Sequence, residues 1–480
     1  MNYELIIGLE VHAELSTKSK IYCTCTTEFG GEPNTHCCPI CIGMPGVLPV
    51  LNKKVVEYAV RAGIATNCRI SDYSKQDRKS YFYPDLPKAY QTSQFDLPLC
   101  LNGYVDIIDN GETKRIGLTR IHIEEDAGKL IHDDRGGGTI LDFNRCGVPL
   151  IEIVGEPDLR SAEETKIYIE ALKSILEYIN VSDCKMEEGS LRADVNISLR
   201  PYGQKEYGTR TELKNLNSIK AIVKAIEFES KRQERLLDSG GTVVQETRRW
   251  DDIKGITYSM RSKEEAHDYR YFPEPDLAPI VVDKKWLESI NSTLPELPSA
   301  RKKKYIDKYG LPEYDAAILT STIQLSDFFE EAVENSKNPK AVSNWIMGDL
   351  MKILKEKEIE PSDIPFKGEY LAKMINMIDE GKISGTIAKK VFEKMFESGK
   401  SPDEIVKDEG LEVVNDEDEL FTVVKDIIDQ NPQSAADFKA GKEKAIGFLM
   451  GQAMKATKGK ANPQVIGKIL REELAKRQNA

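Results

Sequence analysis

Glu4-Leu5-Ile6-Ile7-Gly8-Leu9-Glu10-Val11-His12-Ala13-Glu14-Leu15 (residues 4–15) alternates with period two. Leu5, Ile7, Leu9, Val11, Ala13 and Leu15 take one parity, while Glu4, Glu10, His12 and Glu14 take the other. This alternation predicts a strand with one buried face. Residues 191–200 repeat it, with Leu191, Ala193, Val195, Ile197 and Leu199 against Arg192, Asp194, Asn196, Ser198 and Arg200. Pro201-Tyr202-Gly203 then turns the chain, and 208–214 offers a return strand carrying Arg210, Glu212 and Lys214 on one parity. A further strand is expected over Ile116 to Asp126.

Two helices interrupt these strands. Ser161 with Glu164 makes a capping box ahead of Ile167, Ala171, Ile175 and Ile179, and Ser218 opens a second helix that Gly240-Gly241 ends. Hairpin strands with a few helices indicate an α+β domain, not a doubly wound sheet. After Leu294-Pro295-Glu296-Leu297-Pro298 the pattern turns helical through residue 400. The last eighty residues split by charge: 401–440 hold three Lys and Arg against twelve Asp and Glu, and 441–480 hold nine against three. A small helical module with a basic end is therefore expected.

The 480 residues exceed what one core usually organises, and 40% hydrophobic with 30% charged residues is a globular composition. No run approaches the ~18 apolar residues of a membrane span. The opening Met1-Asn2-Tyr3-Glu4 lacks the basic start and apolar run of an export signal, so a cytoplasmic chain is expected. A net charge of −12 argues against general coating of nucleic acid but leaves room for a local basic surface.

The polar strand faces carry the chemistry. Glu10 and His12 share one face, Glu124-Glu125-Asp126 ends another strand, and Asp194, Glu212 and Lys214 occupy the hairpin. If these strands are neighbours, carboxylates, an imidazole and cations converge; the plainer alternative is a set of solvated faces with ordinary ion pairs. Hard oxygen donors suit Mg²⁺ and a polyphosphate. There is no Gly-x4-Gly-Lys-Ser/Thr loop, and Gly136-Gly137-Gly138 reads as a flexible turn, so any ATP phosphates must be held by metal-bound carboxylates and Lys or Arg. Five of nine cysteines crowd into 23–41; Cys23-Thr24-Cys25 and Cys37-Cys38-Pro39-Ile40-Cys41 can supply four thiolates to a structural zinc. Either Cys37 or Cys38 could be the third ligand, and the Cys-Pro-x-Cys spacing favours Cys38. Buried free thiols are the alternative. Residues 77–85 and 268–276 look alike, interleaving rings and cations that suit either nucleotide and RNA-end binding or simple packing. The basic tail includes Lys455, Lys458 and Lys460, which could track a phosphate backbone.

Taken in order, Ile7-Gly8-Leu9-Glu10-Val11-His12, Asp77-Arg78-Lys79, Tyr81-Phe82-Tyr83-Pro84-Asp85, Lys88-Ala89-Tyr90-Gln91, Glu124-Glu125-Asp126-Ala127-Gly128-Lys129, Lys185 to Arg192, Glu212 to Ser218, Asp268 to Asp276, Gly447 to Gln452 and Ala461-Asn462-Pro463 resemble the GatB family, the B subunits of the bacterial aspartyl/glutamyl-tRNA(Asn/Gln) amidotransferases. The resemblance spans the whole chain. It implies a cradle-shaped, mainly antiparallel catalytic domain related to glutamine synthetase over 1–293. An all-α helical domain would follow over 294–405, then a small α-helical, tRNA-binding tail over 406–480. It further implies work beside the amidase (A) partner in a heterotrimer completed by a small C partner. ATP would phosphorylate the side-chain carboxylate of Glu or Asp misacylated onto tRNA(Gln) or tRNA(Asn), and ammonia would displace the phosphate. By the same resemblance, Mg²⁺ falls on Glu10, His12, Glu125 and Glu212 with Glu124 in support. Lys79, Lys88, Arg192, Asp194 and Lys214 fall on nucleotide or carboxylate contacts, and Cys23, Cys25, Cys38 and Cys41 on zinc. The competing readings are a tRNA-binding scaffold without chemistry and a small-molecule amide ligase on the same fold.

Overall fold

The computed structural model describes residues 3–133, 138–262, 268–411, 417–439, 444–457, 461 and 463–476. The chain divides into two compact units, Met1–Leu297 and Pro298–Ala480. The first is built on a nine-stranded sheet whose order, from one edge, is Ile256–Ser262, Glu246–Asp251, Thr211–Lys214, Leu191–Pro201, Tyr3–Glu14, Pro149–Gly155, Glu112–Glu125, Cys100–Asp109 and Arg69–Ile70. Tyr3–Glu14 lies in the middle, antiparallel to both neighbours. Its apolar parity is buried with Val195, Ile197, Ile151 and Ile153 against helices Lys53–Ala65, Ala162–Tyr178 and Ile219–Asp238. Those helices satisfy the apolar face, which leaves the charged parity to line the other side.

The unit is mixed α and β, but not every strand returns as a hairpin. Thr211–Lys214 and Glu246–Asp251 pair in parallel, because Ile219–Asp238 runs between them as the crossover that parallel neighbours need. The return strand after the 201–203 turn is also shorter than its pattern suggested, spanning only Thr211–Lys214 and pairing with Leu191–Pro201 through Thr211, Glu212 and Leu213. Both expected helix caps are present: Ser161 Oγ accepts from the Glu164 amide and Ser218 Oγ from the Ala221 amide, each at 3.0 Å. The Glu164 carboxylate does not complete a capping box on the Ser161 amide. It accepts from the Arg160 amide and from Lys114 instead, each at 2.7 Å.

The two look-alike segments meet each other. Asp77–Ser80 pairs with Phe272–Pro273 on one side and Tyr90–Ser93 on the other, forming a three-stranded sheet. Arg78 makes a two-pronged bond to the buried carboxylate of Glu274, at 2.6 and 2.8 Å. Tyr81 lies edge-on to Tyr269, and Phe95 stacks on Tyr271 at 4.2 Å. Much of their resemblance is therefore pairing and packing.

The second unit is helical throughout its described residues. One apolar core runs from Tyr305 to Val406 and packs Ile323–Glu334, Gly368–Asp379 and Gly385–Ser398; another runs from Leu420 to Leu474 among the tail helices. No described helix is long and apolar enough to cross a membrane.

Candidate active site and thiolate cluster

Residues opposite one another in antiparallel strands project from the same face. Glu10 is opposite Asp194 and Val154, and His12 is opposite Arg192 and Glu152. Glu152 in turn faces His122, and Glu212 faces Asn196. The polar parity therefore gathers Glu212, Asp194, Glu10, His12, Glu152, His122 and Glu124 across five adjoining strands. At its centre, His12 Nε2 lies 3.5 Å from Glu152, and His122 Nε2 lies 3.4 Å from Glu152 and 3.3 Å from Glu124. His12, Glu124 and Glu152 can each offer a ligand atom within 4.8 Å of the others, a spacing that fits one divalent ion. Two carboxylates and one imidazole suit a hard or borderline cation.

Glu125, expected beside Glu10 and His12, is not there. Its carboxylate is paired with Lys88 and accepts from the Thr92 amide at 2.8 Å, in a separate cavity of about 200 Å³. Glu124 takes the central position, held by Ser93 Oγ at 2.6 Å and Gln91 Nε2 at 3.1 Å. The cause is a register shift at Val154/Gly155, opposite Leu118 and Arg120. Before it Ile116 and Leu118 fill the core; after it Ile121 and Ile123 do, so the bulge changes which parity is buried. Glu152 and His122 are site residues that sequence reasoning missed. Glu152 left one signal, a single charge in the apolar run Val148-Pro149-Leu150-Ile151-Glu152-Ile153-Val154.

The other expected residues divide. Glu10 accepts from Asn196 Nδ2 at 3.0 Å, and burial followed by the charges of Glu152, Glu212 and Asp194 raises its pKa. Glu212 accepts from Thr247 Oγ1 at 2.7 Å and lies 3.0 Å from Lys214, which also pairs with Asp194. Lys79 joins the centre: burial disfavours its charge, but Glu124 and other nearby anions outweigh this and raise its pKa. Its Nζ lies 5.2 Å from the Tyr269 ring. Arg192 turns away to Asp126 at 2.7 Å, and Lys88 belongs to the Glu125 cavity. Burial would strip the proton from His122, yet its bonds to Glu124 and Glu152 push its pKa up to about 9. Burial also opposes ionisation of Glu124, but Lys79 and His122 bring its pKa down. The centre thus consists of ionised carboxylates matched by nearby cations, while Glu10 is left among like charges.

Glu14, next along the same parity, is half-buried beside Asp126; loss of solvent, followed by the charge and hydrogen bond of Asp126, pushes its pKa up to about 8. A carboxyl raised from 4.5 stabilises the fold fully below about pH 4.5, and that contribution is lost as pH rises through about 8. Glu14→Gln keeps a donor for Asp126 and removes the titration. Thermal unfolding should show Tm above the parent at pH 8.5 and no such gain at pH 5; equal pH slopes for both proteins would refute this.

The four thiols of Cys23, Cys25, Cys38 and Cys41 also lie within 4.8 Å of one another. Lys20 N–H donates to the Cys25 carbonyl at 3.0 Å, and the Cys38 amide donates to Cys41 Sγ at 3.1 Å, so each cysteine pair is held by its own turn. Cys37 points elsewhere, its thiol on the Asn34 carbonyl at 3.2 Å. Cys23, the Cys38 amide and Lys20 together bring the Cys41 pKa down to about 5 against the effect of burial. A preformed tetrathiolate site of this kind is compatible with zinc. The following Gly43 has φ +67 and packs so closely on Lys88 that any side chain there would collide with it.

A charged sheet face over a helix-covered core, followed by helices alone, defines the two-part class that comparison with known families identifies: residues 5–288 match the GatB/GatE catalytic domain and residues 327–474 the GatB domain. The chain belongs to the family of aspartyl/glutamyl-tRNA(Asn/Gln) amidotransferase B subunits. It is 66% identical over 479 residues to the family member from Caldicellulosiruptor bescii, covering 99% of this chain and 100% of the relative. It is 61% identical over 476 residues to the one from Thermoanaerobacter pseudethanolicus, with 99% and 100% covered. For Brevibacillus brevis the figures are 55% over 472 residues, 98% and 99%.

Proposed function

We propose that this chain activates the side-chain carboxylate of misacylated Glu-tRNA(Gln) or Asp-tRNA(Asn) with ATP and passes it to ammonia from a partner amidase. The observation that carries the reading is the convergence of Glu152, Glu124 and His12 beside Glu10, with Lys79 and Lys214 flanking. A carboxylate resists attack because its charge repels nucleophiles and its oxygen leaves poorly; phosphorylation removes both obstacles. The two reacting groups are anions, so a divalent cation and lysines must hold them together. Magnesium would be held by His12, Glu124 and Glu152, supplying charge neutralisation. Glu10, Glu212 and Asp194 lie along the same face toward Lys214, whose ammonium can hold a phosphate oxygen. Lys79, half-buried and with its Nζ 5.2 Å from the Tyr269 ring, can orient the substrate carboxylate. Excluding water from this face would also protect the acyl-phosphate.

In this reading residues 1–293 are a cradle related to glutamine synthetase, 294–405 a helical domain and 406–480 the module that contacts tRNA, within a heterotrimer formed with the A and C partners. Lys455 is exposed in the last turn of Lys444–Ala456; Lys458 and Lys460 lie outside the described residues. The four thiolates would hold a structural zinc. Single-turnover ATP cleavage with the purified complex tests the function. ADP should form in proportion to Glu-tRNA(Gln) or Asp-tRNA(Asn) and not with correctly charged tRNAs. Cleavage indifferent to the acyl group would refute the proposal.

A further inference from the structure

Lys20 is 0% exposed, placing a primary ammonium in the interior. Its Nζ donates to the His36 carbonyl at 2.6 Å and lies 3.8 Å from Cys41 Sγ. Among the described residues no carboxylate lies within ion-pair distance of it, and its stem passes Gly147, with Cδ 3.8 Å from where a Cβ would stand. A buried ammonium without an anion costs several kcal/mol, so its charge needs a partner in place. Among the described residues, the atom within reach of its head group that can become anionic is Cys41 Sγ, one of the four sulfurs of the cysteine cluster. Four thiolates around a divalent ion carry a net charge of about −2, which is itself costly to bury. Each group is what the other lacks.

We propose that Lys20 is a positioning residue of the thiolate metal site, a built-in counter-ion that halves the charge of the metal-loaded cluster and fixes Cys41 in its ligating rotamer. The proposal rests on the metal reading of Cys23, Cys25, Cys38 and Cys41. The ammonium lies 3.8 Å from Cys41 Sγ while held by the His36 carbonyl, and the Cys38 amide donates to the same sulfur at 3.1 Å. Cys41 is thus a ligand faced by both a full and a partial positive charge, which offset the excess negative charge of the four-thiolate cluster. Because His36 anchors the ammonium through a backbone carbonyl, the charge stays in place without a carboxylate that would compete with the sulfurs.

The test uses the full chain stripped of metal with a chelator, then titrated with Zn²⁺ against a chromophoric chelator and separately with Co²⁺. Lys20→Met and Lys20→Gln should weaken zinc about 10–100-fold, the range found when a group supporting a metal ligand is removed. Lys20→Arg, which keeps the charge, should stay close to the parent. In the cobalt form, both neutral variants should shift the sulfur-to-metal charge-transfer band to lower energy, because a thiolate without its counter-ion gives up an electron more readily. Lys20→Arg should not shift it. A purely structural role for Lys20 would order the variants by size and leave the band fixed, and that result overturns the proposal. If Lys20→Met fails to fold, the Gln and Arg pair decides. A parent chain that binds neither ion would instead sink the metal reading itself, an outcome distinct from equal affinities in parent and variants.

Discussion

Replacing Glu152 with glutamine is expected to lower ATP-dependent amidation of misacylated tRNA by at least about 10²-fold while leaving tRNA affinity nearly unchanged. Glu152 lies between His12 and His122, 3.5 and 3.4 Å from their Nε2 atoms, and in the proposed reading it is the carboxylate that would join His12 and Glu124 in holding the ion. Glutamine preserves the shape and can still bond to the imidazoles, so loss of activity would not be loss of fold. The diagnostic control is Glu125→Gln. Glu125 lies with Lys88 in a different cavity, so its loss should leave the Mg²⁺ concentration needed for half-maximal rate unshifted, whereas Glu152→Gln should raise it strongly. The scaffold reading expects the Glu152 variant to amidate normally. Unimpaired turnover at ordinary Mg²⁺ would therefore favour a face of structural ion pairs.

Cys38→Ser is expected to remove bound zinc nearly completely, and Cys37→Ser to retain it. Structural zinc contributes on the order of 10 kcal/mol in small metal-folded peptides, so one lost ligand can lower affinity by about 10³-fold or more. The two neighbouring cysteines differ because Cys38 and Cys41 sulfurs lie 3.9 Å apart, while the Cys37 thiol is occupied with the Asn34 carbonyl. Metal analysis of the purified variants separates the outcomes, and equal zinc in both would show that the four-thiol grouping does not hold the ion. Loss of zinc should also loosen the loop at Gly43, which packs on Lys88, and so reach the Glu125 cavity.

The central strand was legible because alternation is a local property: each second residue from Leu5 to Leu15 is apolar whatever surrounds it. The caps at Ser161 and Ser218 were equally local, needing only a hydroxyl three residues before an amide. Glu10, Asp194 and Glu212 came from strands whose parity runs unbroken, and the fold places them on one face. Arg192 did not behave as its parity alone suggested, since a long guanidinium reaches to Asp126. The likeness of residues 77–85 to 268–276 was visible, but not that the two segments would hydrogen-bond to each other.

By itself, the order of amino acids determined the family, the α+β character of the first unit, the strand that carries Glu10 and His12, and the cysteines able to form a metal knot. All of these depend on spacing within a few residues or on long matched motifs. Only the tertiary structure decided that Glu124 and Glu152, and not Glu125, stand with His12, and that Lys20 is buried against Cys41. The physical reason is that a single bulged residue reverses the facing of every side chain beyond it, and a buried charge takes its meaning from atoms far away in the chain.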